Sequence, residues 1–503
     1  MHIFDILTGK DEHPALLTPD QLTLTYQQLR TNVADLVAQL HSFGLGKGDR
    51  IAIAMTNGSP MACIFLAASL CGTAAPLNPK YKQEEFAFYY KDLQAKALIT
   101  LPGTPEAAIA AINPDMLLIQ AITNPDGTLS LELNQEVTQP QRKTSTPDLP
   151  QAEDIAIILH TSGTTSRPKR VPIRHRNLIA SAQNIIGVYN LTANDTNLCL
   201  MPLFHIHGLV GCLLSTLASG GTFICPTGFN ALEFWQLVER YKPTWYSAAP
   251  TIHQMILARA SRNEDIVKSH SFRFIRSSSA PLPPVIIEQM EAVLKTPVVE
   301  SYSMTEAAHQ MTSNPLPPKI RKPGSVGYGH GVEVGIMDED GNLLDQGSLG
   351  EVVVKGANVI DGYENNPQAN ATAFVNGWFR TGDQGKLDPD GYLYLTGRIK
   401  ELINRGGEKI SPLEIDDLLL RHPAVAEALA FAVPHKTLGE EIQAAVVLKS
   451  NTSEQELKSH CSQFLAEFKI PKQIHILEAL PRGATGKLQR LNMAKFLKLG
   501  IDK

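Results

Sequence analysis

A short β-branched run, Ile155-Ala156-Ile157-Ile158-Leu159, leads straight into Thr161-Ser162-Gly163-Thr164-Thr165-Ser166-Arg167-Pro168-Lys169. The run has the length and composition of a buried strand, which commits this part of the chain to a sheet. In the segment after it, side chains are small enough for backbone N–H groups to approach an anion, and the hydroxyls add donors. Arg167, Lys169, Arg170, Arg174 and Arg176 place positive charge beside it. Strand, hydroxyl-rich loop and cations together describe a polyphosphate cradle. The same composition also suits a solvated basic surface loop. A Walker A loop is ruled out, because no stretch has its glycine spacing. The nearest, Gly483-Ala484-Thr485-Gly486-Lys487, is wrongly spaced and followed by Leu488.

A chain of 503 residues exceeds what one hydrophobic core usually supports, so two or more domains are expected. A formal net charge of −5 offers no global attraction to nucleic acid or to an anionic membrane, and neither is expected as a partner. The six cysteines are scattered without a CxxC pair, which fits a reducing compartment and packing as small hydrophobes. Met61 to Leu77 is uncharged and nearly long enough to span a bilayer. Its Ala, Ser, Gly and Cys content reads instead as a tightly packed helix and strand. The N-terminus lacks a basic and apolar leader, and Ile501-Asp502-Lys503 is not a peroxisomal tripeptide. The expected location is cytoplasmic, without membrane insertion. Nothing in the sequence indicates the oligomeric state.

Helical and strand patterns alternate along the first 150 residues, as in sheets covered by helices. Leu24 to Leu29 opens a helix continuing through Leu40, and Arg50–Ala54 and Ala97–Ile99 read as strands. Gln120 to Pro150 reads as a polar surface connection. Alternation resumes at Leu198, where Met201-Pro202-Leu203-Phe204-His205-Ile206-His207-Gly208 carries an H-x-H pair on a presumed strand. Two histidines alone are weak grounds for a metal site, and a satisfied core histidine or a pocket wall are the other readings. Phe274 to Leu282 is a strand ending in small residues. Val298-Val299-Glu300-Ser301-Tyr302-Ser303-Met304-Thr305-Glu306 delivers an aromatic ring, hydroxyls and a carboxylate to one place. From about 324 to 396 short strands and Asp-Gly turns predict a β-rich subdomain. Beyond Gly397 a compact α+β module is expected, with Ser411-Pro412-Leu413-Glu414 as a capping box and Ser453 opening a second helix.

Taken in order, TSGTTSRPK (161–169), MPLFHIHG (201–208), YSMTE (302–306), WFRTGD (378–383), GRIKELINRGGEKI (397–410) and PRGATGK (481–487) resemble the adenylate-forming superfamily of acyl–CoA synthetases, luciferases and adenylation domains. The resemblance covers nearly the whole chain. It implies an α/β fold with a large domain, 1–397, and a small mobile α+β domain, 398–503, hinged at Lys400. It further implies that Thr161, Ser162, Gly163, Thr164, Thr165, Ser166, Arg167 and Lys169 wrap the phosphates of ATP. Tyr302 then packs on adenine, with Ser279, Ala280, Glu300 and Ser301 in the same pocket. Thr305 meets the α-phosphate, Glu306 holds Mg²⁺, and Asp383 and Arg398 hold the ribose. Lys487 becomes the adenylation lysine, and Arg405, Gly406 and Gly407 line the path of CoA. Ser166 and Arg170 stand where the family commonly has glycine, and Gly483 where threonine is frequent. Arg170 is expected to add charge near the phosphates.

The chain stops soon after Lys487, which points to a free thiol such as CoA rather than a tethered arm. The stretch Tyr302 to Pro315, with Ser166, resembles the oxalate–CoA ligase branch. A small dianion needs donors at the far end of its pocket, and His309, Ser279 and His205 are the candidates. A ligase for a medium-chain or aromatic acid, and a nucleotide-binding protein of this fold without turnover, are the alternatives.

Overall fold

The computed structural model describes residues 1–19, 23–134, 149–161, 168–482 and 488–499. Ser162, Gly163, Thr164, Thr165, Ser166 and Arg167, together with Gly483 and Lys487, lie outside the described residues.

The first sheet has seven strands in the order Leu129–Leu133, Leu117–Thr123, Ala97–Thr100, Arg50–Ile53, Thr73–Pro76, Ile155–Thr161 and Lys169–Arg174. Its centre is parallel and both edges are antiparallel. Parallel strands are buried on both faces, which is why Arg50–Ile53 and Ala97–Thr100 read as apolar runs without alternation. The helix Ser59–Cys71 is buried almost all round, so the long uncharged stretch is core helix followed by the strand Thr73–Pro76. No helix among the described residues is long and apolar enough to cross a membrane. The stretch read as a connection after Gln120 instead begins as a hairpin, with Leu129–Leu133 paired antiparallel to Leu117–Thr123. The alternating burial of Leu129 and Leu131 was the overlooked signal.

The second sheet runs Tyr328–Gly329, His309–Ser313, Val298–Met304, Phe274–Ser277, Trp245–Ala248, Thr196–Cys199, Thr222–Ile224, Pro14–Leu17, Leu24–Thr25. It is parallel from Val298–Met304 to Pro14–Leu17, with antiparallel edges. Ser279 and Thr305 therefore emerge at carboxyl ends of parallel strands, where α/β sheets bind ligands. The H-x-H pair does not lie on a strand. His207 begins a π-helix, His207–Leu214, whose residues are all buried and so carry no readable period.

The third sheet is antiparallel: Glu333–Met337, Gly350–Lys355, Trp378–Leu387 and Phe374–Val375, with Leu393–Arg398 on Trp378–Leu387. The fourth holds Ile403–Arg405, Glu408–Ile410, Val425–His435, Gly439–Leu448 and Gln473–Ile476. Its strands and the helices Pro412–Arg421 and Glu454–Ser462 bury apolar cores drawn, among the described residues, from Ile403 onward.

Ser453 caps its helix as expected, exchanging bonds with Glu456. Ser411 does not. Pro412 occupies the first turn, yet the Ser411 hydroxyl donates to the Thr396 carbonyl, an acceptor invisible to the local motif. Nearby, Arg490 is almost enclosed. It pairs with Asp416 at 2.7 Å and with Glu401 at 3.1 Å, tying the last described segment to the turn Ile399–Glu401.

Candidate active site

The strands Ile155–Thr161 and Lys169–Arg174 form an antiparallel hairpin, with Thr161 opposite Lys169 at the mouth of the hydroxyl-rich loop. Period-two alternation then separates the cations. Lys169 lies 4.3 Å from the centre of the Tyr363 ring, and the Tyr363 hydroxyl donates to Glu306 at 2.9 Å. Burial pulls Lys169 below its usual range; Lys400 acts in the same direction and Glu306 opposes it. Arg170 does not serve the loop as expected. It points to the other face, where it pairs with Glu364 at 3.2 Å and donates to the Asp92 carbonyl at 2.6 Å. Arg174 and Arg176 are bound to Asp361, each at 2.7 Å. The basic run is thus largely neutralised by acids distant in sequence.

Around Tyr302 three predicted residues meet. Its hydroxyl donates to Asp383, whose other oxygen lies 3.1 Å from Arg398 Nε across the paired strands. Thr305 opens the turn Thr305–Ala307, and Glu306 is buried beside it. Ser301 donates to the Ser277 carbonyl, and Ala280 is exposed at the edge of the same strand ends. Burial raises the Glu300 carboxyl to about 8, although the Gly324 N–H donates to it. The native state therefore keeps a proton that the unfolded chain loses near 4.5, and stability is lost as pH rises through that window. Glu300→Gln should leave the melting temperature unchanged near pH 4 and raise it progressively toward pH 8. Thermal melts across that range check the sign.

Arg405, Gly406 and Gly407 form the turn between Ile403–Arg405 and Glu408–Ile410, with both glycines left-handed at φ 62° and 95°. Arg405 is held by Glu441 at 2.6 Å, so its described partner lies within its own sheet, not in the Tyr302 cluster.

The most enclosed chemistry lies behind Ser279. His207 Nδ1 is 2.9 Å from Ser279 Oγ, and its Nε2 is 2.6 Å from Ser247 Oγ. The His207 ring stacks on His309 at 4.8 Å between centroids. His309 and Ser279 both hold left-handed backbone, φ 106° and 76°, a strain that clusters at ligand sites. Among the described residues, buried His309 Nδ1 has no hydrogen-bond partner. Burial, then the Arg276 charge and His207, hold His309 well below its usual range, so the ring is neutral. Gly211, on the π-helix, makes the stack possible, since a Cβ there would lie 2.5 Å from His309 Nε2.

Of the proposed acid-pocket residues the structure thus joins Ser279 to His309 through His207, while His205 sets its ring against Phe204 at 4.5 Å. Sequence reasoning marked His207 only as part of the H-x-H pair and passed over Ser247, Tyr363 and, above all, Arg276. A fully buried arginine inside the apolar strand Phe274–Ser277 was the available signal, because such a charge is rarely enclosed without purpose.

Comparisons with known proteins identify the family. The AMP-binding enzyme profile matches residues 6–364, and that of the AMP-binding enzyme C-terminal domain matches 414–487. The oxalate–CoA ligase of Arabidopsis thaliana is 43% identical over 98% of each chain. That of Saccharomyces cerevisiae is 43% identical over 90% of this chain and 88% of its own. Among solved structures, ATP-bound MatB from Rhodopseudomonas palustris superposes with a TM-score of 0.86 at 28% identity, over 99% of this chain and 98% of its own. The chain belongs to the AMP-binding enzyme family, which ligates acids to CoA at the expense of ATP through an acyl adenylate.

Proposed function

We propose that this protein is an oxalate–CoA ligase. A carboxylate oxygen of oxalate attacks the α-phosphorus of ATP, the bond to pyrophosphate breaks, and oxalyl adenylate forms. The CoA sulfur then attacks the acyl carbon, losing its proton, and AMP departs. The observation that supports a dianionic acid most directly is the donor group formed by Ser279, His207 and His309, with one imidazole N–H buried and unanswered. A fatty acyl tail there would strand these polar groups. The donor is assigned to His207, which contacts both Ser279 and His309.

The remaining roles are those that the family resemblance implies. Lys169 and the loop Ser162 to Arg167 hold the triphosphate, and Thr305 donates to the α-phosphate. Tyr302, with Glu300, Ser301 and Ala280, encloses adenine, while Asp383 and Arg398 hold the ribose. Glu306 suits Mg²⁺, a hard cation commonly held by one carboxylate together with phosphates. Its Tyr363 bond occupies a single oxygen, and a bound ion there supplies positive charge at the phosphoryl oxygens. Residues 398–503 turn about Lys400, exchanging Lys487 for the Arg405-Gly406-Gly407 turn, which excludes water from a labile adenylate between steps.

The test is AMP release with oxalate, malonate, acetate, octanoate and a cinnamate, each with and without CoA. Oxalate should dominate, and only with CoA should turnover continue. Preference for octanoate or cinnamate would overturn the assignment, and absence of acid-dependent pyrophosphate–ATP exchange would indicate a protein without turnover. His309→Ala should lower kcat/KM for oxalate by about 10²-fold while ATP affinity holds. Equal loss with every acid would remove His309 from the pocket.

A further inference from the structure

We propose that Arg276 is the positioning residue that fixes the proton pattern and the charge of the acid pocket, making a second negative charge on the acid a condition of productive binding. This rests on the dianion reading above, and extends it to a side chain that does not itself line the pocket.

The guanidinium of Arg276 is fully buried, and each of its described hydrogen-bond partners is a hydroxyl, an imidazole or an amide. Its Nε lies 3.0 Å from the Tyr189 hydroxyl, Nη1 3.0 Å from Ser247 Oγ and 3.3 Å from His207 Nε2, and Nη2 2.9 Å from both His309 Nε2 and Gln310 Oε1. Among the described residues no carboxylate stands within ion-pair distance of it. An enclosed charge without a counter-ion is costly.

Direction follows from the donor inventory. A guanidinium only donates, so His309 Nε2 accepts and the ring proton sits on Nδ1. That is the atom left without a partner among the described residues. On the other side, Arg276 donates to Ser247 Oγ, leaving the Ser247 hydroxyl proton for His207 Nε2. His207 then carries its proton on Nδ1 and gives it to Ser279 Oγ, so the Ser279 proton is directed onward. One cation thereby turns two imidazoles so that His309 Nδ1–H and Ser279 O–H both face the acid as donors. The second carboxylate receives those donors and supplies the missing counter-charge. A monoanionic acid receives neither benefit.

The experiment compares wild-type enzyme with Arg276→Gln, which keeps size and some donors without charge, and Arg276→Lys, which keeps charge without the fork. Histidine ring-¹⁵N spectra, with the His309 signal assigned by its loss in His309→Ala, report the tautomer. In the wild type His309 should be the Nδ1–H form, and Arg276→Gln should abolish that preference. For oxalate, kcat/KM should fall by about 10²-fold in Arg276→Gln, mainly through KM, with partial rescue in Arg276→Lys. Activity with acetate should stay level or rise. Parallel loss with oxalate and acetate, or an Nε2–H His309 in the wild type, overturns the proposal. Should Arg276→Gln fail to fold, the wild-type tautomer and the Arg276→Lys selectivity decide. If the wild type prefers malonate over oxalate, the oxalate assignment fails, and the same comparison with malonate still judges Arg276. If it prefers a monoanion, both fail.

Discussion

Replacing Lys487 by Ala is expected to slow acid-dependent pyrophosphate–ATP exchange by roughly 10²–10³-fold, the scale of losing one preorganised charge contact in the transition state. Two anions must meet for the first half-reaction, a carboxylate and a triphosphate. Among the described cations near the phosphate hairpin, Arg170, Arg174 and Arg176 are already paired with acids. On the reading proposed above, Lys487 adds its charge at the α-phosphorus to those of Lys169 and of an ion held by Glu306. The second half-reaction needs no such charge, because the thiol attacks an acyl carbon already activated by AMP. Thioester formation from supplied acyl adenylate should therefore survive in Lys487→Ala. Single-turnover assays of the two halves separate them, and a common loss would reject the exchange of faces about Lys400.

The second large effect is expected from Gly211→Ala. Its added methyl would lie 2.5 Å from His309 Nε2 and 3.0 Å from His207 Cδ2, both below van der Waals contact. Neither ring can retreat cheaply. His309 is fully buried and bonded to Arg276, and His207 is bonded to Ser247 and Ser279. Overpacking of this kind costs about 1–3 kcal/mol, which the melting temperature should register. The larger consequence is positional, since displacing a binding group by about 1 Å lowers kcat/KM by about 10²-fold. The loss should appear in the acid and leave the KM for ATP nearly unchanged. A variant with lowered stability but normal oxalate kinetics would show that the stacked rings do not orient the acid.

Much of this architecture could be read from the chain because local pattern and tertiary context coincide. Arg50–Ile53 and Ala97–Thr100 are apolar in sequence and buried in the sheet. Ser453 and Glu456 cap a helix wherever they occur in that spacing. Tyr302, Asp383 and Arg398 were nameable by resemblance, but the direct bond from Tyr302 to Asp383 was not, since 81 residues separate them. Legibility failed where a distant partner competed. Ser411 had the correct motif and a nearer acceptor in Thr396. Arg170 belonged to a basic run, yet its face of the strand pointed at Asp92 and Glu364. Arg276 was hardest, because it meets His309 across 33 residues and His207 across 69. Nothing local marks such a residue except a charge in an otherwise apolar strand.

The enclosed Arg490 has a mechanical consequence. Its bonds to Asp416 and Glu401 fasten the chain just downstream of Lys487 to the residue next to Lys400. Pulling either end loose would strand a cation in the interior. Glu401 and Arg490 are thus coupled, so that displacing either stretch drags the other along with it.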